Sequence, residues 1–249
     1  MKSFTTRVDG GDGLPGAPQG AHATHLPDSR AVIASVVFDL DGVLIDSEQV
    51  WEDVRRAFVS AGGGRWMPDT QRRLMGMNTG EWARYLSQEL GVRMAPDEVA
   101  RGVVERMNDR YARDLPLIPG AGDAVRRMGA RWPLALASSS PPAIIHMVLE
   151  RAGLADAFGA VASSDEVAAG KPAPDVYLLA AERLGVDPAF SVAIEDSSNG
   201  LRSAAAAGYR VVAIPQPAYP PDPQALALAS VRLESLDALS PEVVEGLDS

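Results

Sequence analysis

Residues 36–43 read Val-Val-Phe-Asp-Leu-Asp-Gly-Val, an apolar run that ends by delivering two carboxylates one residue apart. With Val32 and Ile33 just upstream, the run has the density of β-branched and aromatic side chains expected of a strand buried on both faces. Carboxylates at the end of such a strand are costly to bury unless a metal or a cationic side chain compensates them. In open α/β sheets the carboxyl ends of the strands are also where ligands bind. Asp39 and Asp41 are therefore expected at the centre of a site built on strand ends, and their counter-charges must come from elsewhere in the chain.

The remaining pattern supplies the sheet. Strands are expected at 134–137, 160–162, 191–194 and 211–214, separated by helices over 141–152, 173–184 and 197–207. This alternation predicts an α/β fold with a doubly wound parallel sheet, closed by short helices over 224–240. Between the first two strands lies a long helical stretch, in pieces over 48–61, 69–74, 79–90 and 96–113, punctuated by glycines at 62–64, 76 and 91. It is too long for a simple crossover and is expected to be an inserted helical cap, residues 47–115, on a core formed by 31–46 and 116–249. Residues 1–30 are rich in Gly, Pro, Asp and Ala without periodicity and read as a flexible tail of no assigned function.

Composition narrows the chemistry. The chain of 249 residues has no cysteine, so a metal site must use oxygen or histidine donors. The formal charge of -10 argues against nucleic acid or an anionic membrane as partner. No apolar stretch approaches the ~18 residues needed to span a bilayer. The first twenty residues lack the apolar core of a secretory signal, so a cytoplasmic location is expected. Lys2 and Lys171 are the only lysines among 23 basic residues, which makes the one inside the body of the chain conspicuous.

Three further stretches carry candidate partners for the two aspartates. Ser138-Ser139-Ser140-Pro141-Pro142 follows a strand and opens a helix, offering hydroxyls and free N–H groups to an anion. Gly170-Lys171-Pro172 places a cation in a loop before a helix. The strand over 191–194 ends in Glu195-Asp196-Ser197, again adjacent carboxylates before a helix start. Carboxylates from two strand ends suit a hard divalent ion, and Mg²⁺ is the usual one beside phosphate. A hydroxyl loop and a lysine would hold a phosphoryl group that a free carboxylate could attack.

Taken together and in order, Asp39-Leu40-Asp41-Gly42-Val43-Leu44, Ser138, Lys171-Pro172 and Glu195-Asp196-Ser197 resemble the haloacid-dehalogenase-like superfamily, most closely its sugar-phosphate phosphatase and β-phosphoglucomutase branch. The resemblance covers about Val32 to Leu239. It implies a Mg²⁺-dependent phosphatase, a phosphoric monoester hydrolase, acting on a small phosphorylated sugar, polyol or hydroxy acid through an aspartyl-phosphate. Under it, Asp39 is the nucleophile and a metal ligand, and Asp41 is the general acid and base that offers its backbone carbonyl to the metal. Ser138, Ser139 and Lys171 hold the phosphoryl group. Asp196 is a metal ligand, with Glu195 either a further ligand or behind it. The insert is the mobile lid, with hinges near Ser47 and 116–120, and it brings Gly76 and Trp51 to the substrate. No partner subunit is implied, and a monomer is expected.

Two alternatives stay open. A β-phosphoglucomutase-like phosphomutase would use the same first half-reaction, but the basic positions that help such enzymes hold a second phosphate fall here on Trp51, Thr79 and Pro141. A non-catalytic phosphometabolite-binding protein would have little reason to keep every chemical residue. The insert contains no lysine for phosphonatase-type Schiff-base chemistry, and His22, His25 and His146 are given no catalytic role.

Overall fold

The computed structural model describes Met1 and residues 33–248. The expected tail, and Val32 of the expected first strand, therefore lie outside the described residues. Six parallel strands form one sheet: β1 (Ser35–Phe38), β2 (Leu134–Ser138), β3 (Ala160–Ser163), β4 (Ser191–Glu195), β5 (Arg210–Ala213) and β6 (Val231–Arg232), in the order β3-β2-β1-β4-β5-β6. The chain runs outward from the centre in both directions, so the topological switch point falls beside β1, where doubly wound sheets bind ligands. Phe38 pairs with Leu136 of β2 and with Ile194 of β4, which brings Asp39, Ala137 and Glu195 to one level at the carboxyl edge.

The α-helices among the described residues are α1 (Glu48–Ala61), α2 (Thr70–Leu74), α3 (Thr79–Arg84), α4 (Pro96–Arg113), α5 (Ala121–Gly129), α6 (Pro142–Ala152), α7 (Asp175–Leu184), α8 (Ser198–Ala206), α9 (Pro223–Leu226) and α10 (Pro241–Glu245). The sheet is covered on both faces. Val36, Phe38, Leu136, Val192 and Ile194 face a core shared with α4, α5 and α6. Val37, Ala135, Ala137, Ala193 and Val211 face one shared with α7 and α8. This two-sided burial explains why the strands read as continuous apolar runs rather than alternating ones.

Between β1 and β2 the chain forms helices α1 to α4 joined by loops, with no strand between Ser47 and Leu115. Its α3 continues as a π turn over Tyr85–Glu89, ending the single helix expected over 79–90 in a wider last segment. Asn78 starts α3 with a reciprocal capping box to Glu81, and Pro96 opens α4, so both helices begin where the local chemistry favours it. Two elements differ from expectation. Helix α5, built on Ala121, Ala124, Val125 and Met128, is not among the expected helices, because its start over Gly120, Ala121 and Gly122 reads as loop. The stretch 224–240, expected to be short helices only, also contributes β6 to the sheet edge.

The insert rests on the core through specific bonds. Ser139 Oγ donates to the Gly76 carbonyl (3.0 Å), and Asn199 Nδ2 donates to the Met75 carbonyl (2.7 Å). Tyr219 Oη donates to Glu52 of α1 (2.8 Å), and the Thr79 amide donates to Asp165 (2.7 Å). Among the described residues no helix is long and apolar enough to cross a membrane.

Candidate active site

Asp39 follows β1 directly and is buried, 5% exposed. Its Oδ1 accepts a hydrogen bond from Lys171 Nζ at 2.8 Å. The same ammonium donates to Glu195 Oε1 at 2.6 Å and to the Ala137 carbonyl at 3.1 Å, so all three of its donors are used. Burial alone would lower the Lys171 ammonium, but the Asp39 and Glu195 carboxylates outweigh it and hold its pKa above the usual lysine range. Lys171 is therefore a fixed cation, set in place by residues from three strand ends.

Glu195, at the end of β4, is fully engaged by the protein. Its Oε1 takes Lys171 and the Tyr177 hydroxyl (2.9 Å), while its Oε2 takes the amides of Asp196 and Ser197. The start of α8 packs so tightly here that a Cβ at Gly200 would overlap the Glu195 carboxylate.

Asp196 is the opposite case. Both of its carboxylate oxygens are buried without any hydrogen-bond partner. Burial, then the neighbouring Glu195 and Asp39 carboxylates, push its pKa well above the usual range, and Asp39 is raised by burial against the opposing pull of Lys171, with Glu195 and Asp41 adding to the rise. Asp39, Glu195 and Asp196 each bring an oxygen within 4.8 Å of the others, and all three are buried. When all three are ionised, the carboxylates facing one lysine leave two negative charges uncompensated inside the protein. A hard divalent cation fits that deficit, the all-oxygen donor set and the orphaned Asp196 oxygens together. Gly42 belongs to the same construction: at φ 82° it carries the chain past Asp196, where any Cβ would overlap that carboxylate.

Asp41 lies across from this group and is caught by four donors. Its Oδ1 accepts from Ser47 Oγ (2.6 Å) and Trp51 Nε1 (3.0 Å). Its Oδ2 accepts from Ser140 Oγ (2.8 Å) and more loosely from Ser138 Oγ (3.3 Å). Ser140 thus serves Asp41, and Pro141 occupies the cap of α6. Asp39, Asp41, Ser139, Lys171, Gly76 and Trp51 line a single cavity beneath the insert. Ser138 is bonded to Asp41 and Glu195 to Lys171, and Asp196 has an oxygen within 4.8 Å of Asp39 and Glu195, so the nine residues picked out from sequence lie together. The cavity's volume is about 40 Å³.

Sequence reading missed three contributors. Glu48, half-buried on α1, lines the cavity and accepts from Gln71 Nε2 at 2.8 Å. Burial and then the nearby Asp41 push its carboxyl up to about 7. Arg55, one turn beyond Trp51, is buried and lies 4.4 Å from the Trp51 ring and 5.1 Å from that of Trp82. Tyr177 of α7 braces Glu195 from below. Charged residues on an amphipathic helix read as solvent-facing, and only the tertiary packing of α1 beside the site reveals otherwise.

A family model described as haloacid dehalogenase-like hydrolase matches residues 33–208. The chain belongs to the haloacid dehalogenase-like hydrolases. Among its relatives, hexitol phosphatase B of Escherichia coli strain K12 is 36% identical over 214 residues, covering 84% of this chain and 95% of that one. A phosphorylated carbohydrates phosphatase of Thermotoga maritima is 33% identical over 175 residues, covering 70% of this chain and 81% of the relative. The crystal structure of CbbY from Rhodobacter sphaeroides in complex with phosphate superposes with a TM-score of 0.75 at 29% identity, covering 86% of this chain and all of that one. The resemblance and the fold class expected from sequence both hold, and the enzyme class expected, a phosphatase of the haloacid dehalogenase-like family, is that of its named relatives.

Proposed function

We propose that this haloacid dehalogenase-like hydrolase is a Mg²⁺-dependent phosphatase that cleaves a small phosphorylated sugar, polyol or hydroxy acid through an aspartyl-phosphate on Asp39. The observation that carries the reading is the pairing of a buried, lysine-fixed Asp39 with the two unpartnered oxygens of Asp196. The sugar-phosphate class draws support from the relatives named for hexitol and carbohydrate phosphates.

Asp39 and Asp196 would hold the ion, together with the Asp41 carbonyl. Glu195, with both oxygens already engaged, acts from behind by orienting Lys171 and the start of α8. When bound, Mg²⁺ supplies charge that screens the incoming phosphate dianion from Asp39. Lys171 turns the donor it gives Asp39 to an oxygen of the same phosphoryl group, and Ser138 turns to it from its loose 3.3 Å contact with Asp41.

An oxygen of Asp39 then attacks phosphorus while the bond from phosphorus to the substrate alcohol breaks, and Asp41 gives the departing oxygen its proton. A water that returns its proton to Asp41 attacks the phosphorus next. The bond to Asp39 breaks, releasing inorganic phosphate and regenerating both carboxyl groups. The donors around Asp41 keep its carboxylate aimed at this position through both halves. The helices over 48–113 act as the lid, since the cavity is too small to admit a sugar phosphate without their movement.

The test is phosphate release from p-nitrophenyl phosphate and a panel of sugar, polyol and hydroxy-acid phosphates, with and without Mg²⁺. Turnover that depends on Mg²⁺ is expected. Equal rates in its absence would remove the mechanism.

A further inference from the structure

Arg55 is buried, 6% exposed, yet it makes no hydrogen bond and no ion pair among the described residues, and its Nε is closed off from solvent. Burial lowers its pKa to about 10, so it remains a guanidinium at neutral pH. Its contacts are the faces of Trp51 and Trp82. Such stacking offsets only part of the cost of removing a guanidinium from water, so this side chain lacks an acceptor. It lines the same cavity as Asp39.

Glu48, Trp51 and Arg55 stand at i, i+3 and i+7 on α1, one face of that helix, turned toward the site. Gln71 holds one oxygen of Glu48 through its Nε2. The cavity thus has a phosphoryl end, built on the sheet edge, and a second end on α1 whose acidic and basic groups compensate each other's charge. A second anionic group on the substrate would meet Glu48 as well as Arg55. A hydroxyl both donates and accepts, so neighbouring hydroxyls satisfy both side chains, with the Trp51 ring against the carbon chain between them.

Resting on the phosphatase reading above, the geometry points to Glu48 and Arg55 as the specificity-determining pair for the leaving alcohol, selecting neutral polyhydroxylated phosphate monoesters over monoesters with a second anionic group. Glu48 accepts from one hydroxyl and Arg55 donates to another, and neither takes part in the chemical step.

The experiment measures kcat/KM in Mg²⁺ for a hexitol phosphate, a phosphorylated hydroxy acid, a sugar bisphosphate and p-nitrophenyl phosphate, using the wild type and the Arg55→Leu, Arg55→Lys and Glu48→Gln variants. The wild type is expected to prefer the hexitol phosphate over both anionic substrates. Its hexitol-to-nitrophenyl ratio should fall at least about tenfold in Arg55→Leu and in Glu48→Gln, mainly through KM, with partial recovery in Arg55→Lys. Melting temperatures confirm that the variants are folded, and Glu48→Gln, which keeps the size of the side chain, stands in if Arg55→Leu is not. An unchanged ratio would overturn the assignment, as would a wild-type preference for the bisphosphate or hydroxy acid that Arg55→Leu abolishes. Absence of turnover by the wild type on all four substrates would instead overturn the phosphatase reading itself.

Discussion

Lys171 Nζ sits 2.8 Å from Asp39 Oδ1, although 132 residues separate them in the chain. The contact joins the loop before α7 to the end of β1, and Glu195 completes it from the end of β4. The parallel register makes this possible, since three neighbouring strands end at one level.

Among the described residues that ammonium is the cation paired with the buried group of Asp39, Glu195 and Asp196, so removing it has a predictable sign. Lys171→Met should destabilise the protein by about 3–5 kcal/mol in chelator, the usual penalty for breaking a buried charge pair on one side. Urea unfolding measures it. Mg²⁺ should recover part of the loss by supplying positive charge to the same cluster, and a change within experimental error would mean the cluster is already neutral by protonation.

The unpartnered Asp196 oxygens predict metal-linked stability. Saturating Mg²⁺ should raise the wild-type melting temperature, by the equivalent of about 2.7 kcal/mol at a hundredfold excess over Kd. Asp196→Asn should lose that response while remaining folded. A variant that retains the full shift would place the ion elsewhere.

How much of this was legible in the chain follows from what burial does to composition. Strands covered on both faces show as apolar runs, and a carboxylate at the end of one stands out, so Asp39, Glu195 and Asp196 could be read directly. Lys171 was visible because lysine is so scarce here. Helix α5 was not, because Gly120, Ala121 and Gly122 look like loop, and β6 is two residues long. Glu48 and Arg55 were hidden for a different reason. Their burial comes from the packing of α1 against residues distant in sequence, Gln71 and Trp82 among them, a tertiary event with no local signature.

Gly42 should tolerate no side chain. Alanine there would sit at φ 82°, a strain of roughly 1–2 kcal/mol, and would displace the Asp196 carboxylate. Gly42→Ala is expected to lose most phosphatase activity together with the Mg²⁺-dependent rise in melting temperature. A folded, fully active variant would show that Asp196 has freedom the packing denies it.

Glu48 supplies the pH prediction. Its carboxyl moves from 4.5 to about 7 on folding, through burial first and Asp41 second. Between those values the folded state binds more protons than the unfolded one, so this group's contribution to stability falls as pH rises through that window. Glu48→Gln should therefore flatten the decline in urea midpoint between pH 5 and pH 7.5, both being about the edges of the window. Parallel profiles for variant and wild type would contradict the shift.

The central claim is that Asp39 carries the phosphoryl group, and trapping that species tests it most directly. The enzyme is mixed with phosphorus-labelled hexitol phosphate and Mg²⁺, quenched in acid within a single turnover, and digested for peptide mapping. The account predicts label on the peptide containing Asp39, placed there by borohydride conversion of that residue to homoserine, and none in Asp39→Asn, which should be folded and inactive. Label on another residue, or turnover by Asp39→Asn at a rate near that of the wild type, would contradict it.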